Sequence, residues 1–133
     1  MPLPTDAKER KATPIYSGVV KYFPLALAEV ARVSKAGNDQ HNPGQPLHWD
    51  KTKSTDHLDC IMRHIADAGT MDSDGQRHSA KVAWRALAAL EMELDAEQAG
   101  MNTIEDIYEC CTHCVSCPTN YAHRVKCSVG CDG

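Results

Sequence analysis

The chain has 133 residues, with 14 Lys and Arg against 18 Asp and Glu and a formal net charge of −4. That balance argues against a nucleic-acid surface, which needs clustered Lys and Arg in excess, and no apolar run approaches the roughly 20 residues of a membrane span. With one Phe, two Trp and four Tyr, the core must be aliphatic and alanine-rich, which suits closely packed helices in one small all-α domain. The start, MPLPTDAKERK, lacks the apolar stretch of a secretory signal. The expected compartment is therefore cytoplasmic, with the seven cysteines as thiols or metal ligands rather than disulfides.

Residues 1–14 read as a flexible arm, and the folded domain is expected over 15–100, with order beginning near Ile15 and Tyr16. Val19, Val20 and Tyr22 suit one short extended segment, but nothing offers it a partner. From Tyr22 to Ala36 the pattern is helical, with Pro24 in the first turn and Gly37 placed to end it. Inside that helix LALAEVARV is apolar except at Glu29 and Arg32. A carboxylate there is costly unless a cation or hydrogen bonds hold it. Glu29 either pairs with Arg32 or faces the aspartates of the next helix as a metal ligand. Residues 37–55 form a long loop by their Gly, Pro and Asn content, and loops of that length are usually functional or disordered. In it Trp49 is placed either to stack on a nucleobase or to lid the core.

Two further helices are expected, near 55–68 and 75–98. The first puts Leu58, Ile61, Met62 and Ile65 on one side and Asp56, Asp59, Arg63 and Asp67 opposite, with His57 and His64 at the border. After Gly69 the segment MDSDG reads as a loop and helix start, with Ser73 or Asp74 as the cap. The second helix carries Ala83, Leu87, Leu90 and Leu94 on its core stripe, with His78 and Arg85 on another face.

Residues 56–85 thus crowd carboxylates, histidines and arginines onto two helices and one acidic turn. Hard divalent ions such as Mg²⁺ and Mn²⁺ prefer carboxylate oxygens and share their shell with substrate phosphates. Glu29, Asp59, Asp72 and Asp74 are the candidate metal ligands, with Asp56 in reserve and Glu29 and Asp59 as the catalytic core. Lys35, Arg63 and Arg85 are the candidate phosphate clamps, and His64 and His78 join Asn38 and Trp49 as substrate-binding candidates. Each has a plainer explanation: Asp59 and Arg63 as an i,i+4 pair, Asp72 and Asp74 as helix caps, and the histidines as structural residues.

The run YFPLALAEVARVSKAG, the WD of the loop, DHLDCIMRHIADAG and DSDGQRHSAKVAWRALAALE resemble the phage dATP/dGTP diphosphohydrolase family, a MazG-like branch of the all-α nucleoside triphosphate pyrophosphohydrolases. The likeness covers about Ile15 to Leu94. Its most specific part is Arg63–His64 followed by Asp72-Ser73-Asp74-Gly75-Gln76-Arg77-His78. The resemblance implies a helical-bundle homo-oligomer that uses Mg²⁺ or Mn²⁺ to cleave purine deoxynucleoside triphosphates, dGTP above all and dATP or GTP beside it, to monophosphate and pyrophosphate. In a phage whose DNA carries 2-aminoadenine it would supply dGMP, in the host cytoplasm. The chain departs from the general MazG pattern: the Glu-Glu-x-x-Glu run is reduced to Glu29, and Glu-x-x-Asp becomes Asp56-x-x-Asp59.

Beyond Gly100 the resemblance stops and a cysteine-rich tail, 101–133, begins. Cys114, Cys117, Cys127 and Cys131 have spacings suited to a structural Zn²⁺, with His113 and His123 as substitutes. Two rival readings are an HD-type triphosphohydrolase, disfavoured because no His-Asp dipeptide occurs, and a non-catalytic, zinc-tailed helical interaction module.

Overall fold

The computed structural model describes residues 3–100. These form an all-α unit of four α-helices, α1 (Ala7–Ala12), α2 (Pro24–His41), α3 (His57–Ala66) and α4 (His78–Gln98), with a π-helical turn at Tyr16–Val20 between the first two. Within the segment read as an arm, α1 is capped by Asp6, whose Oδ2 accepts from the amides of Lys8 at 3.0 Å and Glu9 at 3.1 Å. It has no buried residue. Val19 and Val20 are wound into the π-helical turn rather than extended. With no strand beside them among the described residues, their backbone groups are satisfied locally, as by Lys21 N donating to Tyr16 O at 2.8 Å.

Helix α2 opens at Pro24 as expected but does not end at Gly37. It continues to His41, which shortens the expected loop. A Cβ at Gly37 would meet nothing within 4 Å, Lys35 and Asp39 pair one turn apart, and the helix stops just ahead of Pro43. The extension makes Asn38 a buried helical residue. Its Nδ2 donates to Gln45 O and its Oδ1 accepts from His48 N, both at 3.1 Å. Asn38 therefore fixes the start of the connection to α3.

Helix α4 is the centre of the packing, against α3 on one side and α2 on the other. Its buried stripe is Ala80, Ala88, Met92 and Ala96, with Ala89 beside it. Leu87 and Leu90, expected in the core, are 52% and 50% exposed. Helix α3 is turned likewise. It buries His57 and Cys60 and leaves Leu58, Met62 and Ile65 about half exposed or more. The small side chains on the α4 stripe let the helices approach, and the polar groups of α3 use that approach to find partners. Three long-range contacts complete the frame. Trp84 Nε1 donates to Ser34 Oγ at 2.7 Å, the Trp49 ring meets Trp84 edge to face with centroids 5.5 Å apart, and Lys51 pairs with Asp95 at 2.5 Å.

Candidate functional site

Gly69, at φ +89°, ends the α3 region and sends the chain back toward α4. Met71 and Arg77 then form an isolated antiparallel bridge, closed by Asp72 N donating to Gln76 O at 2.8 Å and Gly75 N to Asp72 O at 3.0 Å. Gly75, at φ +78°, supplies the left-handed residue that this turn demands. Asp74 Oδ1 accepts from Gln76 N at 3.0 Å inside the turn, so neither Ser73 nor Asp74 caps α4. Arg77 occupies the cap position.

This fold-back sets Asp72 beside two histidines from different helices. His64 Nδ1 lies 2.9 Å from His78 Nδ1, and Asp72 Oδ2 is 4.0 Å from His78 Nδ1. The ligand atoms of His64, Asp72 and His78 all lie within 4.8 Å of one another, the one such set of three able to hold a metal ion among the described residues. Lys81, one turn into α4, places Nζ 2.6 Å from Asp72 Oδ2 and 2.7 Å from Asp74 Oδ2. Hydrogen bonds from Lys81 and from Ser73 N hold the Asp72 carboxyl down at about 2, and Lys81 likewise lowers Asp74. Burial opposes the Lys81 ammonium, but its two carboxylate partners outweigh that and raise its pKa. Burial, the Lys81 charge and His78 depress His64.

A second network joins the α3 N-terminus to α4. Arg85 Nη1 donates to Ser54 Oγ at 2.6 Å and to His57 Nδ1 at 3.1 Å, and Ser54 Oγ donates to Asp56 Oδ1 at 3.0 Å. Arg63 Nη2 lies 3.2 Å from Asp56 Oδ2 and 2.9 Å from Cys60 Sγ. Hydrogen bonds from Ser54 and Arg63 bring the Asp56 carboxyl to about 2. Burial raises the Cys60 thiol, and burial together with Arg85 lowers His57. The two guanidiniums share no partner, and the Ser54–Asp56 hydrogen bond links them.

The structure gathers His64, His78, Asp72 and Asp74 into one cluster, and Arg63 and Arg85 into the other. Glu29 pairs with Arg32 on α2, Asp59 stands exposed on α3, and Lys35 is paired with Asp39. Asp56, rather than Asp59, is the ion-pair partner of Arg63. Asn38 and Trp49 meet the connecting segment and Trp84. Lys81, Ser54 and Cys60 did not stand out in the sequence, and His57, placed at the helix border beside His64, was given no role. The signal for the last two is the stripe His57, Cys60, His64, spaced three and four apart as one helix face. The tail residues Cys114, Cys117, Cys127 and Cys131 lie outside the described residues.

A family model described as dATP/dGTP diphosphohydrolase, N-terminal, matches residues 4–102. No curated protein and no solved structure matches the chain. No helix among the described residues is long and apolar enough to cross a membrane.

Proposed function

The chain belongs to the dATP/dGTP diphosphohydrolase family, and on that premise we propose that it hydrolyses purine deoxynucleoside triphosphates, dGTP foremost, to monophosphate and pyrophosphate with a divalent ion. The observation that carries the reading is the convergence of His64, Asp72 and His78 from α3, the acidic turn and α4, beside the Arg63 and Arg85 network. The donor set fits a divalent cation, since it combines an ionised carboxylate with two imidazole nitrogens. Such an ion, when bound, polarises a phosphoryl oxygen and lowers the pKa of a bound water.

The side chains supply position and charge. Arg85, held by Ser54 and His57, and Arg63, held by Asp56, offer planar donors to phosphate oxygens. Lys81 adds a third cation at the acidic turn, where charge builds on departing pyrophosphate. The segment from Gln45 to Trp49, clasped by Asn38 and Trp84, forms the wall for the base. Glu29 and Asp59 are retained as carboxylates for an additional ion.

Homo-oligomerisation belongs to the same proposal. Leu58, Met62 and Ile65 of α3 and Leu87 and Leu90 of α4 turn outward, an amphipathic arrangement with its apolar side unburied, which a second copy would remove from water at about 25 cal/mol per Å². Incubating the full chain with a panel of nucleoside triphosphates and Mg²⁺ or Mn²⁺, with chromatographic identification of products, tests the reaction. Monophosphate with pyrophosphate is expected. Nucleoside with triphosphate, or no turnover, rejects it.

A further inference from the structure

We propose that His64, Asp72 and His78 form a centre selective for a first-row transition ion over Mg²⁺, with Lys81 as the internal cation that occupies the carboxylates until the ion arrives. The inference rests on the hydrolase reading only in placing phosphates beside the centre.

The first argument is ligand chemistry. Mg²⁺ demands oxygen ligands and keeps its waters, whereas imidazole suits the later first-row ions Fe²⁺, Ni²⁺, Cu²⁺ and Zn²⁺, and Mn²⁺, which favours oxygen, accepts imidazole beside a carboxylate. Two of the three donors here are imidazole nitrogens, and they come from different helices, so their approach follows from tertiary packing and not from helical repeat. Metal–nitrogen bonds of about 2.1 Å meeting at right angles separate two nitrogens by about 3 Å, and His64 Nδ1 and His78 Nδ1 are 2.9 Å apart. A ring N–H···N hydrogen bond produces the same distance. For the ion to bind, the donating ring moves that proton to its own Nε2 through solvent, with no net proton released.

The second argument is charge. Asp72 and Asp74 contribute two negative charges and Lys81 one positive, so the cluster carries one negative charge with neutral histidines. A divalent ion converts this to one positive charge, matched to an anionic nucleotide. Lys81 Nζ contacts the same Asp72 Oδ2 that faces His78, so ion and ammonium compete for one oxygen. A lysine has no lone pair to offer the ion when protonated, and it swings away on four flexible carbons. Once displaced, it is free for a phosphate oxygen. The site would thus couple ion binding to release of a phosphate-binding cation.

The test uses the full chain and Mn²⁺ alone, an ion with little preference for the tail thiolates. Electron paramagnetic resonance should show bound Mn²⁺ with nitrogen modulation from two imidazoles, and equimolar Mg²⁺ should not displace it. His64→Gln and His78→Gln, with folding verified by circular dichroism, should each weaken Mn²⁺ binding at least about tenfold, as loss of a metal-ordering group does. Lys81→Met should strengthen it several-fold, which keeps the proposal testable if a histidine variant misfolds. Absent nitrogen modulation, unchanged Mn²⁺ affinity in folded histidine variants, weaker binding in Lys81→Met, or displacement by equimolar Mg²⁺ overturns it. Pyrophosphate release measured in parallel separates the two readings. Turnover without nitrogen modulation removes this centre and leaves the hydrolase, while modulation without turnover leaves the centre and removes the hydrolase.

Discussion

Arg85 Nη1 sits 3.1 Å from His57 Nδ1, and because a guanidinium only donates, the imidazole proton must lie on Nε2. That Nε2 is buried without a partner among the described residues. A second proton on this ring would face Arg85 and could not reach solvent.

His57 therefore makes stability depend on pH. Its folded pKa lies below the ordinary 6.5 through burial and Arg85, with Asp56 pulling the other way. The unfolded chain takes up a proton as pH falls through 6.5 while the folded chain resists. Stability is then fully present above that value and lost progressively below it. Thermal melts from pH 8 to pH 5 should show a falling midpoint, less steep in His57→Gln. Parallel slopes for the two proteins would remove His57 as the cause.

Exchange of carboxylate for amide keeps shape and deletes charge. Asp72→Asn, Glu29→Gln and Asp59→Asn are each expected to reduce kcat by on the order of a hundredfold, the effect of losing a principal electrostatic stabiliser. Steady-state kinetics at limiting Mn²⁺ measures this. Near-normal turnover in any one variant takes that carboxylate out of the ion site.

Asn38→Ala should cost about 1–3 kcal/mol, since two part-buried hydrogen bonds are lost and Gln45 O and His48 N are left to find water. The same variant should raise KM for dGTP by loosening the segment that carries Trp49. Urea denaturation and Michaelis kinetics read the two effects, and unchanged stability would mean the connection is held by other contacts.

Met62, 66% exposed, tests the outward apolar face. Met62→Glu should shift the sedimentation coefficient toward a single chain while leaving helical content intact. An unchanged coefficient would place any subunit contact elsewhere.

The family match ends at residue 102, ahead of the cysteine cluster. Truncation at Gly100 should preserve most turnover and abolish zinc retention as read by elemental analysis. Loss of turnover in a folded, truncated protein would assign the tail a part in the reaction.

The three helices from Pro24 onward were legible, α3 through a strong 3.6-residue periodicity and α2 and α4 through long runs rich in alanine and leucine, α2 opened by Pro24. The burial direction was not. Leu58, Met62, Leu87 and Leu90 satisfy an amphipathic pattern, but in the described chain α3 buries His57 and Cys60 instead, since His57 meets Arg85 and Trp84 of α4 and Cys60 meets Asp56 at the N-cap of α3 itself. The extension of α2 through Gly37 was hidden because glycine disfavours helix intrinsically, while Asn38 gains two tertiary bonds only when helical. Asp72, Asp74, His64 and His78 were legible as chemistry-bearing residues, yet their grouping depends on the Gly69 and Gly75 turns. Lys81 was silent, one lysine among several, until the turn brought both aspartates onto it.

His64 and His78 are only 14 positions apart in sequence, with Asp72 between them, so closing one short loop suffices to assemble the centre. Loop closure over so few residues is entropically cheap and fast. Helix α2 supplies no residue to the centre, so its detachment would leave the histidine pair and acidic turn of the α3–α4 hairpin together. Hydrogen exchange would then report amides of α2 opening at lower free energy than those flanking His78. In such a partly opened state the chain would still capture its ion before it had rebuilt the wall for a base.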